Sequence, residues 1–188
     1  MIKLLISDFD GTLVDTFEAN LKAYQEAFQS VGLSITADTY RECYGLRFDA
    51  FMKAVGVKDA AVASKIRSAK AGAYPKYFDL LRVNKELVGM LMAFRRSGGK
   101  IAIASTAREK NLMAVLNHIG LDNCWDYIMA GEQVKLGKPA PFIYYGILKH
   151  FGVTPDEAIA FEDSEVGIKA AKQAGLNYIK INKEFYGN

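Results

Sequence analysis

Short, almost continuously apolar runs recur along the chain and alternate with segments of helical periodicity. They occupy residues 2–6, 101–104, 127–129, 158–161 and 178–181. Unbroken hydrophobicity, without alternation, is typical of parallel strands whose two faces are both covered by helices. We therefore predict a parallel sheet built from these five runs.

Helices are predicted between the runs by apolar residues at helical spacing, with polar caps before them and glycines after them. They lie between Asn84 and Gly98, around 112–119, over 139–151, and between Ser164 and Gly175. Asn84 and Ser164 are the expected caps, because their side-chain oxygens can accept hydrogen bonds from the first free amides of a helix. This alternation of strands and helices predicts a doubly wound α/β fold.

Residues 16–83 interrupt this alternation. Apolar residues repeat there at helical spacing, first at Phe17, Leu21, Tyr24 and Phe28 and again at Val62, Ile66 and Ala69, and no convincing strand intervenes. In a chain of 188 residues such a segment is best explained as a small all-helical cap inserted over the sheet. The predicted division is a core of residues 1–15 and 84–188 and a cap of residues 16–83.

Composition narrows the possible functions only slightly. The net charge is +3 and the basic residues are scattered, which suits a small anionic substrate and gives no reason to expect a nucleic-acid partner. Cys43 and Cys124 are far apart, so neither a disulfide framework nor a zinc site is expected. No run is long enough for a membrane helix, and the first apolar run reaches Asp8 too soon for a signal peptide. We expect a cytoplasmic protein, monomeric or weakly dimeric, without a membrane partner.

The chemistry-bearing segment of the sequence is the octet DFDGTLVD at residues 8–15, directly after the first predicted strand. In open α/β sheets, ligands bind beyond the carboxyl ends of the strands. Asp8 and Asp10, two residues apart in an extended chain, can project toward one ligand. An aspartate can attack phosphorus as a covalent nucleophile, and a second carboxyl can serve as general acid and base. The alternative is that these acidic residues merely cap a loop.

The octet resembles the first motif, DxDGTxxD, of the haloacid dehalogenase-like superfamily of phosphohydrolases. Three later segments are similar to its other motifs and follow in the same order: IAIAST at 101–106, GKPAP at 137–141 and FEDS at 161–164. A helical cap between the first two motifs is similar to the β-phosphoglucomutase and phosphoglycolate phosphatase-like branch. The resemblance implies a Rossmann-like catalytic core and a Mg²⁺-dependent phosphatase.

A metal site is expected because a phosphate monoester dianion repels an incoming carboxylate. Mg²⁺ prefers oxygen ligands and commonly binds one or two carboxylates together with phosphate oxygen and water. Asp8 and Asp163 are the natural carboxylate ligands, since each follows a predicted strand. The resemblance adds the backbone carbonyl of Asp10 and, directly or through water, Glu162. An acidic pair that only precedes a capped helix is the alternative for Glu162 and Asp163.

Lys138, Ser105 and Thr106 are further candidates for handling the phosphoryl group. Lys138 would offset negative charge on the phosphoryl group and on Asp8. Ser105 would donate a hydrogen bond to a phosphoryl oxygen, assisted by the backbone amides of Thr106 and Ala107 at the start of the next helix. Alternatively, Lys138 is a solvated lysine in a turn, and the two hydroxyls only cap that helix.

The predicted reaction has two halves. Asp8 attacks phosphorus while protonated Asp10 donates to the departing alcohol, and Asp10 then deprotonates the water that hydrolyses the aspartyl-phosphate. The substrate is expected to be a small phosphorylated metabolite whose identity is read by the cap. Arg47 in the cap could hold a distal anionic group, although an arginine on a surface helix explains it equally well.

Two other functions stay open on the sequence. One is a phosphosugar mutase similar to β-phosphoglucomutase, which is disfavoured because such relatives carry a histidine where Asn20 stands here. The other is a non-catalytic phospho-sensing domain similar to a receiver domain. The cap and Asp10 both argue against a receiver, which needs a long-lived phosphate and no internal acid.

Overall fold

The computed structural model describes residues 1–182 and Tyr186, and the chain divides into two compact units. One unit contains Met1–Asp15 and the chain from Arg82 onward, and the other is Thr16–Leu81. The helical segment therefore ends at Leu81 and not at residue 83. The reason is that Arg82 and Val83 pair as a short strand with Asp15 and Val14.

The Thr16–Leu81 unit is entirely helical in its described elements. It consists of α1 (Phe17–Gln29), α2 (Ala37–Glu42), α3 (Phe48–Ala54), α4 (Ala60–Ala73) and a 3-10 segment (Tyr74–Leu80). Its core is rich in aromatic rings that pack edge to face, such as Tyr24 against Phe51 with ring centroids 4.9 Å apart. Such pairs contribute about 0.5–1.5 kcal/mol each beyond their burial.

The other unit is built on a parallel sheet of five strands. They are β1 (Leu4–Ser7), β4 (Lys100–Ala104), β5 (Tyr127–Met129), β6 (Ala158–Glu162) and β7 (Asn177–Lys180), in the spatial order β5-β4-β1-β6-β7. A separate antiparallel pair, β2 (Val14–Asp15) and β3 (Arg82–Val83), was not predicted because two-residue strands leave no hydrophobic pattern. The predicted doubly wound parallel sheet is confirmed.

Four helices flank the sheet: α5 (Lys85–Arg96), α6 (Glu109–His118), α7 (Phe142–Phe151) and α8 (Glu165–Gln173). Both predicted caps are confirmed, because the side chain of Asn84 accepts from the amide of Leu87 and that of Ser164 from the amide of Gly167, each at 3.1 Å. The predicted start of α7 at residue 139 is wrong. Ala140 precedes Pro141, whose ring disfavours a helical backbone before it, so the helix begins at Phe142.

The register of the sheet determines which side chains meet at its carboxyl edge. Ser7 in the central strand β1 lies opposite Ile103 of β4 and Phe161 of β6. The residues that follow, Asp8 and Glu162, therefore lie side by side at this edge. Helices α7 and α8 pack their apolar residues into the core beneath this edge. The polar side chains at the edge therefore lie next to a buried apolar core. Among the described residues, no helix has the length and apolar character needed to cross a bilayer.

Candidate active site

The loop after β1 is a tight turn that begins at Asp8 and closes at Val14. The carbonyl of Phe9 accepts hydrogen bonds from the amides of Thr12, Leu13 and Val14 at 3.3, 3.0 and 3.0 Å. Gly11 has a φ of +89°, a conformation that residues with a Cβ rarely adopt. The glycine of the first motif is thus required by the backbone of the turn.

Three carboxylates converge beyond the ends of β1 and β6. Asp8, Glu162 and Asp163 each offer an oxygen, and these oxygens all lie within 4.8 Å of one another. Asp8 and Glu162 are buried and Asp163 is half-buried. The hydroxyl of Thr12 donates to Asp163 Oδ1 at 3.2 Å and ties the turn to the strand end of β6. The sheet thus brings together the carboxylates of three of the four acidic residues that the sequence assigned to one site.

Lys138 lies inside this acidic cluster and is not a solvated turn residue, since its side chain is only 2% exposed. Its Nζ donates to Asp8 Oδ1 at 2.6 Å, to Glu162 Oε1 at 2.6 Å and to the carbonyl of Ala104 at 2.8 Å. Burial opposes the positive charge, but the charges of Asp8 and Glu162 outweigh it and raise the pKa of Lys138 above its ordinary value. Lys138 is therefore a permanent cation at this site.

Tyr144 of α7 completes the cluster and was missed by the sequence reasoning. Its ring is fully buried, and its hydroxyl donates to Glu162 Oε1 at 2.5 Å. Burial and the neighbouring Glu162 raise the pKa of Tyr144 well above its ordinary value, so the phenol stays protonated and remains a donor. A signal was available in the sequence, because a tyrosine on the apolar face of a helix needs a polar partner for its hydroxyl.

Two glycines leave room for the carboxylates. A Cβ on Gly11 would overlap the carboxylate of Asp163, and a Cβ on Gly167 of α8 would overlap that of Glu162. Thr12 holds the carboxylate of Asp163 in this position, and Lys138 and Tyr144 hold that of Glu162. Helix α8 can therefore approach Glu162 closely only because residue 167 has no side chain.

Replacing Gly167 by alanine is expected to destabilise the protein by about 1–3 kcal/mol, because the new methyl group must displace a buried carboxylate in a packed core. Denaturant unfolding measures the effect. Gly89→Ala is the matched control, since Gly89 lies in α5 with open space around it. There the same change should stabilise by about 0.5–1 kcal/mol through helix propensity. Equal stabilisation of both variants would contradict the predicted overlap.

The predicted phosphate-binding hydroxyls lie at the end of the neighbouring strand β4. Ser105 is buried, its amide donates to the carbonyl of Met129, and its Oγ accepts from the amide of Ala107 at 3.0 Å. Thr106 is half-buried in the same loop. The prediction that a helix starts at Thr106 and Ala107 is wrong. Helix α6 begins at Glu109, because the intervening residues form a turn closed by Ser105 Oγ.

The remaining predicted site residues are Asp10, in the turn after β1, and Arg47, in the helical unit. Asp10 is half-buried within the turn, where its backbone bridges to Val14. Arg47 is half-buried in the helical unit, directly before α3. Their roles in chemistry and substrate binding stay predictions.

The acidic cluster fits a hard divalent cation. Its three carboxylates face one lysine, so ionising all of them leaves two negative charges uncompensated. Glu162 Oε2 is buried and has no hydrogen-bond partner among the residues that the structure describes. Burial, reinforced by the charge of Asp8, raises the pKa of Asp163, and the same two causes outweigh Lys138 and raise that of Glu162. Carboxylate oxygens held close together at this cost are typical of a Mg²⁺ or Ca²⁺ site.

The fold and the cluster together define a doubly wound α/β enzyme with an acidic site at the carboxyl edge of its sheet. The chain belongs to the haloacid dehalogenase-like hydrolase family, whose sequence profile matches residues 5–181. The resemblance seen in the four motifs is thereby confirmed.

Relatives specify the class of hydrolase. The chain is 29% identical to "Phosphorylated carbohydrates phosphatase" of Thermotoga maritima, over 95% of this chain and 84% of that protein. It is 27% identical to "Fructose-1-phosphate phosphatase YqaB" of Escherichia coli, over 94% of this chain and 95% of that protein. A crystal structure of CbbY from Rhodobacter sphaeroides in complex with phosphate is 28% identical, with a TM-score of 0.85, and the match covers 100% of this chain and 89% of that one. The chain is accordingly a phosphatase, a hydrolase of phosphoric monoesters.

Proposed function

We propose that this protein is a Mg²⁺-dependent phosphatase that hydrolyses small phosphorylated carbohydrates through a phosphoenzyme formed on Asp8. The observation that carries the proposal is the contact of Lys138 with both Asp8 and Glu162 in a buried acidic cluster. This arrangement places a buried cation against Asp8 Oδ1 and orients that carboxylate at a strand end, where an α/β fold binds its ligands. An ionised, positioned carboxylate is what nucleophilic attack on phosphorus needs.

Asp8 would act as the nucleophile. Lys138 holds Oδ1, so Oδ2 would be the oxygen that forms the new bond to phosphorus while the bond from phosphorus to the alcohol oxygen breaks. The permanent charge of Lys138 would offset the negative charge that Asp8 and the phosphoryl group share. Positioning and charge compensation would therefore supply most of the acceleration.

Asp10 would handle the proton in both halves of the reaction. As an acid it would give its proton to the departing alcohol, and as a base it would take a proton from the water that attacks the phosphoenzyme. That attack would break the bond between phosphorus and Asp8 and release inorganic phosphate. Asp10 would end the cycle protonated, as it began, and Asp8 would regain its carboxylate.

Phosphate binding is assigned to the loop after β4. Ser105 Oγ would donate to a phosphoryl oxygen while still accepting from Ala107, and Thr106 would add a hydroxyl and an amide beside it. Arg47 of the helical unit would bind a polar or anionic group on the carbohydrate. The mild net positive charge of +3 is compatible with an anionic substrate.

Asp8, Asp163 and the carbonyl of Asp10 would hold Mg²⁺, with Glu162 in direct or water-mediated support. Bound there, the ion would supply positive charge that lowers the repulsion between a phosphate dianion and a carboxylate. The uncompensated charge of the cluster and the unpartnered Glu162 Oε2 support this assignment.

The names of two relatives support the proposed substrate class. One of them is named as a phosphatase of phosphorylated carbohydrates and another as a phosphatase of fructose 1-phosphate. Both matches cover nearly all of this chain, including the helical unit in which substrate selectivity is expected to reside. Small sugar phosphates are therefore the first substrates to test.

The test is a panel of sugar phosphates, with p-nitrophenyl phosphate as a generic substrate, scored for released phosphate with Mg²⁺ and again with EDTA. We expect at least one sugar phosphate to be hydrolysed, and chelation to abolish the release until Mg²⁺ is restored. Isomerisation of a sugar phosphate without phosphate release would replace the phosphatase by a mutase. Activity that persists unchanged in EDTA would refute the metal requirement.

A further inference from the structure

All three N–H donors of the Lys138 ammonium group are used in hydrogen bonds within the protein. A lysine carries three N–H donors, and three acceptors lie within hydrogen-bond distance of Nζ: Asp8 Oδ1, Glu162 Oε1 and the carbonyl of Ala104. Lys138 can thus bond to a phosphoryl oxygen only if it releases one of these three. Which acceptor it releases can be argued from what each acceptor would lose.

Two of the three acceptors are poor choices for release. The carbonyl of Ala104 is fixed at the buried end of β4 and would be left without this donor. Asp8 is the proposed nucleophile, and its charge must stay compensated when the phosphate dianion approaches. Glu162 differs from both, because its Oε1 already receives a second donor, the hydroxyl of Tyr144.

Without that second donor, the release would leave Glu162 with no hydrogen bond from the described residues. The Glu162 side chain is 0% exposed, and its Oε2 has no partner among the described residues. A buried, unpartnered carboxylate is strongly unfavourable. The hydroxyl of Tyr144 removes this obstacle, since it donates to the same oxygen that Lys138 would leave.

We propose that Tyr144 is a positioning residue that holds Glu162 while Lys138 exchanges its bond to Glu162 for one to the phosphoryl oxygen. This inference rests on the proposed function, because it assigns a step in phosphate binding and transfer at the same site. Tyr144 acts through Glu162 and Lys138 and touches no substrate atom. The buried tyrosine thus lets one lysine serve the resting site and the loaded site in turn.

The kinetic test compares Tyr144→Phe with Tyr145→Phe. Tyr145 is the matched control, because it lies next to Tyr144 on α7 and its hydroxyl donates to the carbonyl of Gln173 in α8 at the protein surface. With the preferred substrate and Mg²⁺, Tyr144→Phe should lower kcat by about tenfold to a hundredfold, the effect of one hydrogen bond to a charged group, with KM changed less. Tyr145→Phe should match the wild type. Equal kcat in both variants would overturn the proposal.

A second measurement does not depend on turnover. In protein labelled with ¹⁵N-lysine, the Lys138 ammonium signal is assigned by its loss in Lys138→Arg, and inorganic phosphate is titrated in the presence of Mg²⁺. We expect phosphate to shift this signal in the wild type and in Tyr145→Phe, and about tenfold more phosphate to be needed in Tyr144→Phe. An unchanged phosphate dependence in Tyr144→Phe, or no shift in the wild type, would overturn the role of Tyr144.

The two measurements separate the failure of this inference from the failure of the proposed function. If the wild type hydrolyses none of the sugar phosphates, the proposed function is refuted, and the phosphate titration still decides whether Tyr144 supports the exchange. If the wild type is active and the two phenylalanine variants behave alike in both measurements, only the role of Tyr144 is refuted. Thermal unfolding of both variants shows whether a lower kcat reflects a smaller folded fraction.

Discussion

Replacing Asp8 by asparagine is expected to reduce phosphate release by about a thousandfold or more, because the variant lacks the proposed nucleophile and the group that would form the phosphoenzyme. Asparagine has nearly the same size as aspartate, and its loss of charge leaves Glu162 as the remaining acidic partner of Lys138. The fold should therefore survive. The measurement is initial-rate phosphate release on the preferred sugar phosphate with Mg²⁺.

Asp156→Asn is the control, since Asp156 is exposed in the turn before β6 and outside the acidic cluster. It should leave the rate within about twofold, as expected of a surface change. Trapping of acid-quenched turnover mixtures adds a direct readout: labelled phosphate should be found on Asp8 in the wild type and in Asp156→Asn. Substantial turnover by Asp8→Asn in folded protein would remove Asp8 from the role of nucleophile.

The architecture of the core could be predicted from the sequence because its signals are local. Continuous apolar runs identify strands buried on both faces, and caps such as Asn84 and Ser164 fix where helices begin. The two-residue strands Val14–Asp15 and Arg82–Val83 were not predicted, because they are too short to show a periodic pattern. Their pairing joins distant parts of the chain, and no pattern within either segment reports it.

The acidic residues of the site could be predicted for a similar reason. Asp8 and Glu162 each end a run that reads as a parallel strand, and such strands expose their carboxyl ends at one edge of the sheet. Tyr144 could not be assigned to the site in this way, because its sequence context calls for a polar partner of its hydroxyl but does not identify Glu162 as that partner. The role of Gly167 could not be predicted either, because it depends on the carboxylate of Glu162, which a Cβ at position 167 would overlap.

Lys138 contacts both Asp8 and Glu162. Of all single substitutions in the site, its removal should lower the stability of the protein most. Lys138→Met keeps an apolar stem of similar length but deletes the cation between Asp8 and Glu162. Breaking a buried ion pair by removing one partner costs about 3–5 kcal/mol, because the remaining charge is left uncompensated. We therefore expect the free energy of unfolding to fall by about this amount, measured by denaturant unfolding in EDTA.

The pH dependence of that loss follows from the charges. The pKa of Lys138 is raised in the folded protein, so its stabilisation is complete below the unfolded value of 10.5 and is lost only as pH rises past the folded value. Removing Lys138 takes away a charge that lowers the pKa of buried Glu162, so Glu162 is protonated more readily in Lys138→Met. The loss in the free energy of unfolding relative to the wild type should therefore be larger at pH 8 than at pH 5.

Lys110→Met on the exposed face of α6 is the control and should stay within about 0.5 kcal/mol of the wild type at both pH values. If Lys138→Met unfolds at the same denaturant concentration as Lys110→Met, the contacts of Lys138 with Asp8 and Glu162 do not stabilise the fold. The lysine would then be held at the site by the packing of its stem alone, and its charge would have to be explained by the needs of phosphate chemistry.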